Sequence, residues 1–324
     1  MTILSSSEDV DVDSPHQNLL KTSPDDHFQS LYDFLEKFKK GEDQVIISII
    51  LPMYNEEKTI KNVLESLPNH EFIEVIVVND KSTDSSLKEI EGIKHNLNLK
   101  VVNHSINKGY GSAILTGIKN AKGDVLVTMD SDGQHDPKDL LTMVQPIFTK
   151  EADYTIGSRY LGTYFYHLPV STRLGELFVE KLIQIFFGKK IMNNQNGFRA
   201  FNRKILKIFD NVRYDGYAFC TEQILRASLE GYKIKECPIK LYDRKYGSSH
   251  IVLSKLAINV FSLFFRYFVK KIKLTVIKKD QHGKLKIYEK DLKKSPELKD
   301  LRINREQIYI NSKFFVEQRL MVNP

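Results

Sequence analysis

Four apolar runs punctuate the first half of the chain, and each stops abruptly. Val45–Leu51 (VIISIIL) is broken only by Ser48 and stops at Pro52. Val75–Val78 stops at Asn79-Asp80, Leu99–Val102 at Asn103, and Val125–Met129 at Asp130. Short runs rich in Val and Ile predict strands buried on both faces. Glu56–Leu67, Ser82–Asn96 and Tyr110–Ala121 lie between them with helical patterns. Strand–helix alternation predicts an α/β fold: a mostly parallel sheet flanked by helices.

Further along, Phe28, Leu31, Leu35 and Phe38 predict a short amphipathic helix over Phe28–Lys40 that docks on the body. Asp153–Gly157 and Ile234–Leu241 read as strands, and Leu174–Phe187 and Ala218–Leu229 as helices. Ile251–Val269 is strongly apolar, but it holds Lys255, Asn259 and Arg266 and precedes Lys270-Lys271-Ile272-Lys273. This favours an interfacial amphipathic helix over a core helix or a membrane span. The expected organisation is an acidic, disordered stretch with a short helix (1–43), a catalytic body (44–250), the interfacial helix (251–271) and a basic extension (272–324).

Charge sharpens this division. The 324 residues carry a net +7, yet residues 1–43 hold 10 Asp/Glu against 4 Lys/Arg, a net −6, leaving +13 for the rest. A basic body suits an anionic partner: a phosphorylated substrate, an anionic membrane surface or nucleic acid. Two cysteines outside any CxxC pair, and an acidic N-terminus without an apolar signal-type stretch, predict reduced thiols and a cytoplasmic protein.

In such sheets ligands bind at the carboxyl ends of the strands. Pro52–Glu56, Asn79-Asp80 and Asp130-Ser131-Asp132 all fall there. Two carboxylates two residues apart in extended chain point the same way, and both suit one Mg²⁺ or Mn²⁺ at a diphosphate. Asp80 is a candidate for nucleobase or ribose, Tyr54 for stacking on a base, and Asp84 for a helix cap. Arg159 and Arg173 flank an aromatic loop (Tyr160, Tyr164, Phe165, Tyr166) and offer guanidinium forks for a phosphate. Arg244 to His250 is a basic, hydroxyl-rich loop fit to close over a diphosphate.

Collected in order, these blocks resemble the family 2 glycosyltransferases of GT-A (Rossmann-like) fold, above all the polyprenyl-phosphate group that includes dolichol-phosphate mannose and glucose synthases. The resemblance spans about residues 45–252. It rests on Pro52-Met53-Tyr54-Asn55-Glu56, Asn79 to Asp84, Asn107 to Ala113, Asp130-Ser131-Asp132-Gly133-Gln134-His135, Gly157 to Tyr160, Gln195 to Phe201 and Arg244-x-x-Gly247-x-Ser249. Asn79 stands where the family usually has Asp, Lys81 where it has Gly, and Asn193 where Asp is frequent. The resemblance implies that Pro52, Tyr54, Glu56 and Asp80 hold the nucleotide. Asp130, Asp132 and Gln134 then serve the metal and diphosphate, Arg244 and Ser249 the donor, and Arg159 and Arg173 the acceptor phosphate. The helix Leu174–Phe187 would lie at the membrane interface.

The reaction implied is inverting transfer from a GDP- or UDP-sugar to a polyprenyl (dolichyl) phosphate, by an enzyme peripheral to the cytoplasmic face of a membrane. A processive polysaccharide synthase would carry a Q-x-x-R-W block, and this chain has no Trp. A transferase to a sugar or protein hydroxyl would need a carboxylate base, for which Glu222 is the candidate. A non-catalytic nucleotide-sugar-binding module is a further alternative. Nucleic acid is not an expected partner.

Overall fold

The first three apolar runs become strands β1 (Ile47–Met53), β2 (Ile73–Asn79) and β3 (Leu99–Asn103), and the fourth becomes β4 (Val125–Thr128). The computed structural model describes residues 27–39, 41, 44–93, 97–166, 169–212, 216, 218–244, 246 and 253–275. The disorder expected for the first 26 residues, Ser249 and the extension beyond 275 lie outside the described residues. Every residue of β1, β2 and β4 is buried, as near-continuous apolar runs require. The one polar interruption, Ser48, is satisfied: its hydroxyl donates to Glu74 at 2.6 Å and accepts the Gly123 N–H at 2.8 Å.

A seven-stranded sheet runs in the order β3-β2-β1-β4-β6-β5-β7, with β5 at Tyr154–Tyr164, β6 at Arg199–Asn202 and β7 at Ile234–Leu241. β6 pairs antiparallel with both β4 and β5, while the remaining pairs are parallel. Six strands therefore share one direction. The carboxyl ends of β1, β2, β4, β5 and β7 open on one edge, where β6 presents its start.

Two apolar cores cover the faces of the sheet. One takes α1 (Gln29–Glu36), α2 (Ile60–Glu65), α3 (Ser86–Glu91) and α5 (Leu140–Phe148). The other takes α4 (Tyr110–Asn120), α6 (Val170–Phe187), α7 (Ala218–Leu229) and part of α8 (Leu253–Thr275). α1 buries Leu31 and Leu35, and Phe38 beyond it meets Phe148 of α5 with ring centroids 4.7 Å apart. The chain divides into two compact units, residues 1–268 and 269–324, and every candidate site residue belongs to the first.

No described helix is long and apolar enough to cross a membrane. Two helical faces are nonetheless apolar and exposed: Val170, Leu174, Phe178 and Ile185 on α6, and Phe261 and Phe265 on α8. The two helices adjoin through Phe186 and Phe268, whose rings lie 4.7 Å apart.

Candidate active site

The loops after β1 and β2 are stapled to each other. Asn55 and Glu56 donate their N–H groups to the Ser82 and Ser86 hydroxyls at 3.0 and 2.7 Å. Asn55 Oδ1 accepts the Thr83 N–H at 2.8 Å, and Asp84 accepts from Glu57 and Ser86 at 3.1 and 3.0 Å. Asp84, one residue before the Ser85 N-cap, thus takes the first N–H of α3 and also reaches across to the first loop. Asn55 (φ 57°) and Lys81 (φ 65°) are left-handed, which explains why glycine suits position 81. Asn79 uses what an aspartate lacks: its amide donates to Asn103 Oδ1 at 2.9 Å.

Asp80, assigned from sequence to a nucleobase or ribose, is engaged by the protein. It is buried and accepts the Lys108 and Gly109 N–H groups at 2.8 and 2.7 Å, with His104 Nδ1 at 2.6 Å. It anchors the glycine loop that starts α4. Tyr54, by contrast, is exposed at the crevice edge.

The carboxylates after β4 sit against these loops. Ser131 donates to the Pro52 carbonyl at 2.7 Å, and Thr59 binds both the Ser131 carbonyl (2.9 Å) and Glu56 (2.8 Å). Asp132 is buried. Its Oδ1 accepts the Gln134 N–H at 3.1 Å, and its Oδ2 takes Arg244 at 2.5 Å. Gln134 donates its amide to the Tyr242 carbonyl at 3.0 Å, tying the loop to the end of β7. Asp130 Oδ1 is buried without a hydrogen-bond partner among the described residues, and His135 lies 4.0 Å from Oδ2. Gly197 backs Asp130 so closely that a Cβ there would overlap the carboxylate.

Crowding shows in the ionisation. Burial pushes the Asp130 carboxyl above its ordinary pKa, and the Asp132 charge adds to this against a partial offset from His135. Glu56 is raised in the same way, by burial first and then by Asp132 and Asp130, against its bond to Thr59 and the charge of Arg244. Among the described residues no three His, Cys, Asp or Glu side chains form a metal cage. Two carboxylates, one with an orphaned oxygen and one already holding a cation, are a donor set that suits a hard divalent ion completing its shell with water and phosphate oxygens.

Arg159 and Arg173 converge on Tyr160, their guanidinium carbons 5.2 and 4.0 Å from its ring centroid. Arg159 gives one nitrogen to Tyr166 at 2.6 Å and another to Glu176 at 2.5 Å. Arg159 Nε and Arg173 Nη1 are buried and have no hydrogen-bond partner among the described residues. Two such guanidinium nitrogens beside one ring are donors of a kind that suits an anion's oxygens. Phe165, at the end of β5, stacks on Tyr242 at 5.0 Å and so joins this cluster to the carboxylate loop.

The family model described as "Glycosyl transferase family 2" matches residues 48–209. The chain belongs to this family. A UDP-N-acetylglucosamine–dolichyl-phosphate N-acetylglucosaminyltransferase of Methanococcus voltae is 33% identical over 220 residues, spanning 62% of this chain and 88% of that protein. An uncharacterised protein of Methanocaldococcus jannaschii is 32% identical over 251 residues, 74% of this chain and all of the relative. Glucosyl-3-phosphoglycerate synthase from Mycobacterium tuberculosis, solved with Mn²⁺, UDP and glucosyl-3-phosphoglycerate, superposes with a TM-score of 0.54 at 20% identity, covering 69% of this chain and 80% of that one. It shares the fold.

In this family 2 glycosyltransferase one edge of the sheet brings together Glu56, Asp130, Asp132 and Arg244, and Phe165 links them to the Arg159–Arg173 cluster. Sequence reasoning missed Glu176 as a partner of Arg159, because a separation of 17 residues between two elements leaves no pattern that signals the pair. It also missed Tyr110, whose hydroxyl bonds Asp130. Glu222 is buried and accepts the Tyr267 hydroxyl at 2.7 Å, so its carboxylate is committed to helix packing.

Proposed function

We propose that this glycosyltransferase moves a sugar, with inversion, from a UDP- or GDP-sugar to a polyprenyl (dolichyl) phosphate at an anionic membrane surface. The observation that carries the reading is the pair Arg159 and Arg173 on Tyr160, each with a buried nitrogen left unbonded. The Methanococcus voltae relative, named for a dolichyl-phosphate acceptor, supports it.

A phosphate monoester has a second pKa near roughly 6 and is largely dianionic at neutral pH. One of its oxygens attacks the anomeric carbon as the bond from that carbon to the nucleotide diphosphate breaks. No proton changes hands, so no general base is required. Arg159 and Arg173 orient the nucleophile. Arg244 leaves Asp132 to meet the charge on the departing diphosphate. Asp130 and Asp132, with Gln134 beside them, would hold Mg²⁺ or Mn²⁺, which supplies positive charge to the leaving group when bound.

Acidic residues 1–43, catalytic body 44–250, interfacial helix 251–271 and basic extension 272–324 serve this reading. The exposed apolar faces of α6 and α8 set the body on the bilayer. Transfer to a sugar or protein hydroxyl loses support with Glu222 committed to Tyr267. The test is incubation with Mn²⁺, polyprenyl phosphate and a panel of radiolabelled nucleotide-sugars, followed by organic extraction. Label in the organic phase is expected for one donor; label confined to the aqueous phase for all donors overturns the reading.

A further inference from the structure

Glu176 is a buried carboxylate inside the arginine cluster that takes no part in the proposed transfer. Its two oxygens are both spoken for: Oε1 takes Arg159 at 2.5 Å, and Oε2 accepts the Tyr160 hydroxyl. Its backbone carbonyl takes the Asn194 amide at 3.4 Å, next to the loop that backs Asp130. It therefore fixes both the guanidinium of Arg159 and the ring on which Arg173 rests. With both oxygens occupied by donors, it is not placed to collect a proton.

We infer that Glu176 is a positioning residue that matches this site to a phosphate whose charge falls during the reaction, by cancelling one of the two arginine charges while aiming the other bonds. The inference rests on the acceptor reading above. A phosphate monoester enters with two negative charges and leaves as a diester with one. Two uncompensated arginines would hold the entering dianion more tightly than the transition state, which has already given up part of that charge. Interactions stronger in the ground state than in the transition state slow the step. With Glu176 in place the arginines keep their geometry, and the cluster's charge is reduced by one. The neighbouring hydroxyls do not alter this balance: burial raises the pKa of both Tyr160 and Tyr166, so they stay neutral. Glu180, the next acid along α6, is buried and takes no part in these bonds.

The test uses the full chain and compares binding of farnesyl phosphate, a dianion, with farnesyl sulfate, a monoanion, at pH 7.5 without donor. Transfer kinetics to farnesyl phosphate are measured alongside. Glu176→Gln adds one positive charge at nearly constant shape. It should raise the preference for phosphate over sulfate on the order of tenfold, while acceptor KM and kcat both fall. Glu176→Asp keeps the charge and should keep the wild-type preference, whatever it costs in rate. Unchanged preference in a folded Glu176→Gln protein overturns the inference, as does a Gln-like shift in Glu176→Asp. Should Glu176→Gln not fold, the Asp variant alone still decides by that second criterion. A wild-type protein that neither binds farnesyl phosphate nor transfers to it defeats the acceptor reading and this inference together, an outcome distinct from the other two.

Discussion

Arg244 reaches across from the segment after β7 to place its guanidinium 2.5 Å from Asp132. One positive group thus occupies a carboxylate oxygen proposed for a divalent ion. On the proposed reading an ion at Asp132 would release Arg244 to a bound diphosphate, so the two binding events would be coupled. Arg244→Gln should therefore bind Mn²⁺ more tightly than the wild type when no nucleotide is present, by several-fold, and transfer more slowly by about 10²-fold. Mn²⁺ titration followed by electron paramagnetic resonance reads the first effect without any turnover. Equal affinity in the two proteins would mean that Arg244 does not compete.

Gly197 supplies the second test. A Cβ there meets the Asp130 carboxylate. Gly197→Ala should push that carboxylate off its position, costing more than about tenfold in kcat with an unfolding midpoint close to wild type. Full activity in the alanine variant would show that the Asp130 position is not critical.

Acidity supplies a third. Asp130 and Glu56 have pKa values raised above the ordinary carboxylate range, chiefly by burial. A carboxyl with a raised folded pKa binds its proton better when folded, so ionising it costs stability. That cost is absent below the unfolded pKa of roughly 4, grows as pH rises, and is complete above the raised folded value. Asp130→Asn removes its own share, so it should stabilise the ligand-free protein at pH 7.5 by about 1 kcal/mol and the gain should vanish towards pH 4. Calorimetric Tm against pH checks this; a gain that grows as pH falls contradicts the sign.

Arg199, in one of the blocks that carry the family resemblance, belongs to the scaffold. It is buried and hydrogen-bonds the carbonyls of Asn194 (2.7 Å), Asn196 (2.7 Å) and Cys220 (2.9 Å) as well as the Tyr154 hydroxyl. Arg199→Ala removes the buried donor shared by these groups and Gln223 and should cost roughly 3–5 kcal/mol, seen as a lower urea midpoint. A loss under about 1 kcal/mol would show that these bonds do not hold the scaffold together.

The parts of the fold that were legible are those whose burial is uniform. β1, β2 and β4 announce themselves because both faces are covered, and α7 and β7 have the bounds their patterns predict. α5 went unassigned because Pro146 interrupts its sequence. β6 hid because it is four residues long and begins with an arginine whose burial no pattern reveals. Within the site, residue types and loop positions could be read, but partners could not. The fate of Asp80 depends on two N–H groups 28 and 29 residues later, and that of Arg159 on a glutamate 17 residues away on another element.

The reversed strand β6 has a consequence for how such an enzyme is varied. Everything up to the loop after β4 forms one continuous stretch of chain carrying Tyr54, Glu56, Asp130 and Asp132. Everything from β5 onward carries Arg159, Arg173, Glu176 and Arg244. Across the sheet the two stretches meet along the single β4–β6 ladder, four paired positions from Val125↔Asn202 to Thr128↔Arg199. That ladder is a graft line. A chimera that keeps its pairing and exchanges the later segment sets a new Arg159–Arg173 cluster, and a new Arg244, against the original carboxylates.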